Sequence, residues 1–502
     1  MNKKSSLLAK GLSLSALTLL SRILGLIREM TKARFLGTSA LSDAFGIAFM
    51  IPNLFRRLFA ENSVSVAFIP TFKNYLEDST TPEKKNETQD FISATFTLLT
   101  FLTTVFVSIG MILTPLILRI FYKTEDSAAM KEAEILTRIM FPYLAVISVA
   151  ALFQGILNAL KIFSPSGFTP ILFNSIVIAS TYILSRWTEN PARAMAIGVI
   201  LGGSVQAFFQ FPFVLKNDWK VTFTSLKKAF SNPGTRKVIR LVGPTIIGMA
   251  GYQINDIVSS ALATRAGEGV VSSLQYSLRL QELILGICAV TIGTVILPDL
   301  TGFAKNRMWE EFKNLISQSV KIMALIAIPI TFYALIMSEN IICLIFSGGK
   351  FKEESVRMTM DVFNWHIIGL FFIAVNIALA SLLVTNFGGK GIAFALTTAS
   401  AVNTIILFAF LSKTKDIQVG DLVKSIVTYS LKIILLSIAA SASIYFIKDR
   451  IIAMFEGHSK LISHGIPVAI TGIIFGTAGI ILLALTKDSV LKAASRKIIK
   501  RA

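Results

Sequence analysis

Leu19 to Phe72 reads LLSRILGLIREMTKARFLGTSALSDAFGIAFMIPNLFRRLFAENSVSVAFIPTF. It has the apolar density of two membrane-spanning helices, yet it carries Arg22, Arg28, Glu29, Asp43, Arg56, Arg57 and Glu61. A charge at the centre of a membrane helix costs about 2.5–3.5 kcal/mol on insertion scales. Three such charges at depth approach the whole stability of an ordinary domain, about 5–15 kcal/mol. Charges this expensive face a water-filled cavity or an ionic partner and mark a substrate or ion path.

The remaining composition agrees. The chain has 502 residues, 53% of them hydrophobic and only 16% charged, against about 25% charged in soluble domains. Mean hydropathy is +0.68. This predicts an all-α polytopic membrane protein. The N-terminus imitates a signal peptide, but no small-x-small cleavage site follows and the apolar run continues past Arg22, so it reads as a retained first span. With 49 basic and 29 acidic residues the net charge is +20. The excess lies in loops and tails, which points to positive-inside topology and contact with anionic lipids, not to nucleic acid. Cys288 and Cys343 have neither metal nor redox spacing, and His366, His458 and His464 are scattered. No cofactor is expected.

At roughly 20 apolar residues per span, helices are predicted near 7–36, 40–72, 91–120, 134–161, 166–186, 192–216, 236–264, 268–301, 313–337, 358–387, 390–412, 422–447 and 464–486. Basic residues crowd the N-terminus, the 216–240 loop and the tail, placing all three in the cytoplasm. Two cytoplasmic ends require an even number of spans, and this reading has thirteen. An internal repeat locates the irregularity. AFIPTFKNY around Pro70 resembles VILPDLTGFAKN around Pro298, 228 residues on, whereas Asn174 and Asn376, which head similar stretches, are only 202 apart. The second half is therefore 26 residues shorter, mostly between 363 and 376, where two spans are fused. The predicted architecture is two repeated six-helix lobes, 1–216 and 236–412, joined by a basic linker at 217–235 and followed by a C-terminal helix pair and tail at 413–502. Thirteen to fourteen spans result, with the region of helices 10 and 11 shortened. Repeated halves around a midplane site are a transporter architecture.

Arg22 and Glu29 are two turns apart on one helix face, while Arg28 lies roughly 100° round from Glu29. Pro52 should break or kink the second span. Beyond it, Arg56 and Arg57 either snorkel to the interface or line a cavity, and Glu61 stands four residues from Arg57, a spacing that suits an ion pair. Arg279 and Glu282 either neutralise each other on a helix face, or Arg279 joins Arg22 and Arg28 around a cationic cavity. Guanidinium groups fork onto phosphate oxygens and keep their charge, so such a cavity suits an anionic, phosphate-bearing cargo. Gly198–Gly202 and Gly472–Gly476 match a small-xxx-small packing spacing. Asp256, beside Asn255, is either a cation site or a satisfied polar group between helices. No nucleotide-binding loop or hydrolase motif is present, so the chain does not read as an enzyme.

With SRILGLIRE (21–29), SDAF (42–45), IPNLFRRLFAE (51–61), AFIPTF (67–72), FPYL (141–144) and LRLQE (278–282), the chain closely resembles the MurJ/MviN family. These are lipid II flippases of the multidrug/oligosaccharidyl-lipid/polysaccharide exporter superfamily. The resemblance implies fourteen helices, alternating access around a central cationic cavity, and a cargo of undecaprenyl-diphosphate-linked peptidoglycan precursor moved across the bacterial cytoplasmic membrane. By motif position it assigns the substrate arginines to Arg22, Arg28, Arg56, Arg57 and Arg279, and the gating or charge-pairing acids to Glu29, Asp43, Glu61 and Glu282. It also implies that the last two helices receive the polyprenyl tail, and it leaves cell-wall synthesis proteins as partners. Leu278 replaces the acid that often precedes the span-8 arginine, and Asp256 with Asn376 makes a poor version of the family's sodium site. Two rivals stand beside this reading: an exporter of another polyprenyl-diphosphate-linked saccharide, and a transport-inactive scaffold.

Overall fold

The computed structural model describes residues 3–57, 64–79, 81–283, 328–368, 419–457 and 461–488, with isolated positions between 306 and 325 and at 459 and 491. Among these the regular structure is helical, apart from one bridge between Gly348 and Phe351. The chain divides into two compact units, Met1–Ser272 and Ser273–Ala502.

The first unit opens with α1 (Lys3–Leu36) and α2 (Ala40–Phe55). Ser39 caps α2 by accepting from the Ser42 amide at 3.3 Å. Here the structure corrects the predicted single helix over 40–72. The α-helix continues through Pro52 but loosens into a π turn at 56–57, and a second π segment, Val64–Phe68, leads into α3 (Ile69–Asp78). Proline removes one hydrogen bond from the preceding turn, and the helix rewinds just beyond it, at the two arginines. Next come α4 (Pro82–Phe121), α5 (Ser127–Met140), α6 (Tyr143–Ala159), α7 (Ser164–Leu184) and α8 (Pro191–Lys216). α4 starts nine residues before the predicted span because Thr81 and Pro82 form a cap and first turn for its polar extension.

α7 and α8 pack closely because α8 presents glycine to α7. A Cβ added at Gly198 would lie 2.9 Å from the Ser180 Cβ and 3.1 Å from the Val177 Cα. At Gly202 it would meet the Phe173 carbonyl oxygen at 3.2 Å. Overpacking of this kind costs about 1–3 kcal/mol, so Gly198→Val is expected to lower both membrane abundance and the thermal midpoint in detergent. The identical spacing at Gly472–Gly476 behaves differently. A Cβ at Gly476 meets nothing within 4 Å, so Gly476→Val should leave the same midpoint within the error of the measurement.

The 217–235 segment is not a loose connection. The Lys220 amide donates to the Gln89 Oε1 at 3.0 Å, the Thr222 and Ser93 hydroxyls meet at 3.1 Å, and the Thr224 amide donates to the Thr97 Oγ1 at 2.9 Å. Alternate residues of an extended strap advance roughly 6.6 Å, and every fourth residue of a helix advances about 6.0 Å. The two repeats therefore stay in step along α4. α9 (Leu226–Ser231) then buries Ala229 against Ala94 and Leu98. α10 (Pro233–Ala263) starts at an Asn232 cap, with Gly234 pressed onto the Phe91 ring. These contacts tie α10 to α4, and the first unit accordingly runs on to Ser272, past the linker at which the sequence divides the lobes.

A further helix, α11 (270–283), begins at the end of the first unit. In the second unit, α12 (Ile328–Ile336) and α13 (Ser338–Phe346) meet at a 79° bend. Tyr276, Phe346 and Phe351 form an aromatic cluster, and α14 (Glu353–Ile368) follows Phe351 in the chain. The C-terminal part comprises α15 (Val419–Tyr445), α16 (Lys448–Met454) and α17 (Ile466–Leu485). Tyr333 donates to the Val468 carbonyl at 2.6 Å, fixing α12 to the start of α17. Lys432 pairs with Asp488 at 2.7 Å beside Tyr429, fixing α15 to the end of α17. Six described helices are long and apolar enough to cross a membrane, seven if the bent α12–α13 pair counts as one span. The predicted fused span 358–387 beyond residue 368, and the span 390–412, lie outside the described residues.

Candidate functional site

Arg28, one of the sequence-predicted site residues, lies where α1, α2 and α7 meet. α1 and α2 run antiparallel through the tight turn at Gly37, whose φ of 62° suits glycine. This places Arg28 opposite Phe49 and Lys32 opposite Phe45, one helical turn along. Each cation stands 5.9 Å from its ring centroid. The two rings lie nearly parallel, 6.2 Å apart.

Arg28 is held from several sides. Its Nη2 and Nε donate to the Glu29 Oε1 at 2.7 and 3.3 Å, and its Nη1 donates to the Asn174 Oδ1 at 3.2 Å. Phe173 offers a second ring face at 5.9 Å. Asn174 is itself fixed, donating to the carbonyls of Pro170 at 3.0 Å and Ser21 at 3.4 Å. The guanidinium is thus oriented from three helices while 19% of its side chain stays exposed. The sequence places Glu29 on the face of Arg22. In the structure it is the adjacent Arg28 that bends back to it, because a long guanidinium side chain spans the 100° step. Arg22 lies half-buried two turns earlier on α1.

Lys32 is missing from the sequence reading. It is 2% exposed, the most deeply set cation of the cluster. The signal was present as cations at 28 and 32 facing aromatics at 45 and 49, a matched i,i+4 pattern on two helices joined by a glycine turn.

Asp43 is one of the acids that the family resemblance makes gating or charge-pairing groups, and the structure gives it backbone and hydroxyl partners. Its carboxylate, 3% exposed, accepts from the Gly269 amide at 2.7 Å, the Ser272 amide at 2.8 Å and the Ser272 hydroxyl at 2.5 Å. It caps the first turn of α11 across 226 residues of sequence, where exposed helix amides favour negative charge. Around it, the Ala40 amide donates to Glu268 at 2.8 Å and the Lys123 amide to Thr264 at 3.0 Å, so the 37–40, 122–126 and 264–269 turns are tied together.

Arg56 and Arg57 are half-buried at the π turn, and the Arg56 Nε donates to the Asn53 side chain at 2.9 Å. Glu61, the expected partner of Arg57, lies outside the described residues. Within the second unit, Arg279 pairs with Glu282 at 2.9 Å, the mutual neutralisation that their spacing allows. It does so although Leu278 removes the acid on its other side. The same helix buries Ser277, whose hydroxyl lies 2.5 Å from the Nδ1 of His366, a buried histidine that the sequence reading left among scattered residues. No group of side chains suited to a metal ion occurs among the described residues, and the side chains of Asp256 and Asn376 are not among them.

A fixed, partly exposed guanidinium, with a buried ammonium one helical turn away, is suited to holding a phosphate-bearing anion. Comparison with known proteins points the same way. The family model described as lipid II flippase MurJ matches residues 32–376. A probable lipid II flippase MurJ of Treponema pallidum (strain Nichols) is 44% identical, with 99% of each chain covered. One from Vibrio cholerae is 34% identical over 70% of this chain and 67% of its own. Among solved structures, a lipid II flippase MurJ in its inward closed conformation superposes with a TM-score of 0.76 at 23% identity, covering 95% of this chain and 99% of that one. An inward-facing multidrug resistance MATE family transporter of the MOP superfamily gives 0.56 at 14% identity, with the same coverage. At these identities the structural matches speak for the fold.

Proposed function

The chain belongs to the MurJ family of lipid II flippases, and from that premise we propose that it turns lipid II over by alternating access, gripping the diphosphate with the arginines of its transport path. It is a lipid II flippase, a multi-pass transporter of the bacterial inner membrane and not an enzyme. The observation that carries the mechanism is the Arg28 site, where a guanidinium between α1, α2 and α7 is oriented by Glu29, Asn174 and two rings and is still partly exposed.

In this reading Arg22, Arg28, Arg56, Arg57 and Arg279 are the phosphate-binding residues. Glu29 and Glu282 hold Arg28 and Arg279 when cargo is absent, and Glu61 does the same for Arg57. Phosphate then displaces a carboxylate from a guanidinium already in position, so the site need not expose a bare charge to the membrane at any stage. Asp43 acts as the gating acid through its grip on α11. The basic N-terminus, the 216–240 segment and the tail face the cytoplasm and its anionic lipids. Undecaprenyl-diphosphate-linked precursor enters from that side and leaves on the other, where cell-wall synthesis proteins use it.

The test is rescue of cells depleted of their own lipid II flippase, with surface-exposed lipid II quantified. The parent chain should restore viability and surface lipid II, and Arg279→Ala, at equal membrane abundance, should not. A parent chain that reaches the membrane in full amount and fails to restore surface lipid II would overturn the cargo assignment.

A further inference from the structure

A second feature of the first unit lies apart from the arginine cluster. Between α4, α6 and α10 runs a groove of about 350 Å³, lined by Leu98, Leu102 and Phe106 on one side and Val238, Ile239 and Val242 on the other. Three threonines also line it, but their hydroxyls are spent within their own segments. Thr95 donates to the Phe91 carbonyl at 2.8 Å, Thr103 to Leu99 at 2.7 Å and Thr235 to Ala229 at 2.6 Å. The groove therefore offers a ligand no free hydroxyl donor along its length. Leu102 and Ile239, at its edges, are 46% and 45% exposed.

We propose that this groove binds an anionic glycerophospholipid, with one acyl chain along α4 and the phosphate on Arg236 and Arg240. The lining of α4 extends from Thr95 to Phe106, roughly 16 Å at 1.5 Å per residue. That matches half of the ~30 Å hydrocarbon core, the reach of a single acyl chain, and is short for a polyprenyl tail. Arg236 and Arg240 stand on the exposed ridge of α10 beside Ile239, one turn apart. Arg236 uses its Nε on the Phe230 carbonyl at 3.0 Å, which leaves its two terminal amino groups for phosphate oxygens. Neither arginine pairs with a carboxylate among the described residues. Lys237 faces the neighbouring cleft with Asp78 and Glu87 and is not part of the site. Two guanidiniums at the mouth of a hydrocarbon slot favour a headgroup of net negative charge over one carrying its own cation.

The test is fluorescence quenching in vesicles. Leu102→Trp, at a half-exposed position, places an indole in the groove, and Leu99→Trp places a second one there independently; the parent chain gives the background of the four native tryptophans. Phosphatidylglycerol brominated on its acyl chains should quench the new indole at a mole fraction at least about fivefold lower than brominated phosphatidylcholine. The double variant Arg236→Gln, Arg240→Gln should bring the two lipids together. Equal quenching by both lipids in the parent background would mean ordinary boundary lipid and overturn the proposal. So would quenching no greater than that of the parent chain in both tryptophan variants, because the groove would then be covered by protein. Displacement of the brominated lipid by equimolar undecaprenyl phosphate would assign the groove to the cargo's tail instead. The readout is binding, so a failure here leaves the flippase assignment intact, and a failure of rescue leaves this site intact.

Discussion

Arg28→Ala is expected to lower surface lipid II by about 100-fold or more at equal protein abundance. The guanidinium makes two hydrogen bonds to Glu29, one to Asn174 and two ring contacts. Hydrogen bonds to charged groups contribute about 1.5–3 kcal/mol, and each decade of effect corresponds to about 1.4 kcal/mol, so losing the two bonds of a forked grip on phosphate, about 3–6 kcal/mol, is enough for the expected range. Arg28→Lys should recover little, since a single ammonium cannot reach Glu29 and Asn174 together while lying between two rings. The same variant also removes a partner of Glu29, whose side chain is only 14% exposed, and so it threatens folding too. The double variant Arg28→Ala, Glu29→Gln separates the two effects. With the carboxylate neutralised, membrane abundance should return to the parent level and transport should stay lost. Transport recovered along with abundance would show that Arg28 holds the bundle together and does not hold cargo.

The uneven legibility of this site has physical causes. The membrane character and the costly charges of the first two helices follow from hydropathy, because the cost of burying a charge is local and can be read from one helix, whereas the pairing of Glu29 with Arg28 in place of Arg22 depends on how a long side chain bends. Lys32 was passed over because TKAR resembles a polar helix end. Only the pairing of α1 with α2 shows that it is buried under Phe45. Gly198 and Gly476 share a motif, yet one is jammed against α7 and the other stands open. Spacing on one helix says nothing about whether a neighbour occupies that face. The strap over 220–224 was invisible for a related reason. Its polar residues read as solvated loop. Of their partners, Ser93 and Thr97 sit at the start of a predicted span and Gln89 on the extension before it, and nothing in the spacing says that a strap covers that face.

Asp43 is the extreme case, and the second large effect is expected there. An acid in the first turn of a helix reads as a complement to that helix's own dipole, and α2 does carry Asp43 in its first turn. Its cap, however, is already supplied by Ser39, which frees the carboxylate to close the start of α11. Asp43→Ala leaves the Gly269 and Ser272 amides without their acceptor in a buried place. At about 1–3 kcal/mol for each unsatisfied buried group, a loss of roughly 3 kcal/mol follows. At about 2–4 °C per kcal/mol for a unit of this size, the thermal midpoint in detergent should fall by roughly 6–12 °C. Asp43→Asn is expected to lie between. One amide oxygen can still serve Ser272, but the amino group that replaces the other oxygen turns a donor toward the Gly269 N–H, so the variant trades an acceptor for a repulsion. Ser272→Ala removes only the hydroxyl contact and should cost about 1 kcal/mol. The order Ser272→Ala, Asp43→Asn, Asp43→Ala in rising severity is the signature of a cap. If Asp43 instead served an arginine, Ser272→Ala would be silent, and Asp43→Asn would be as damaging as Asp43→Ala, since both remove the charge that an ion pair needs.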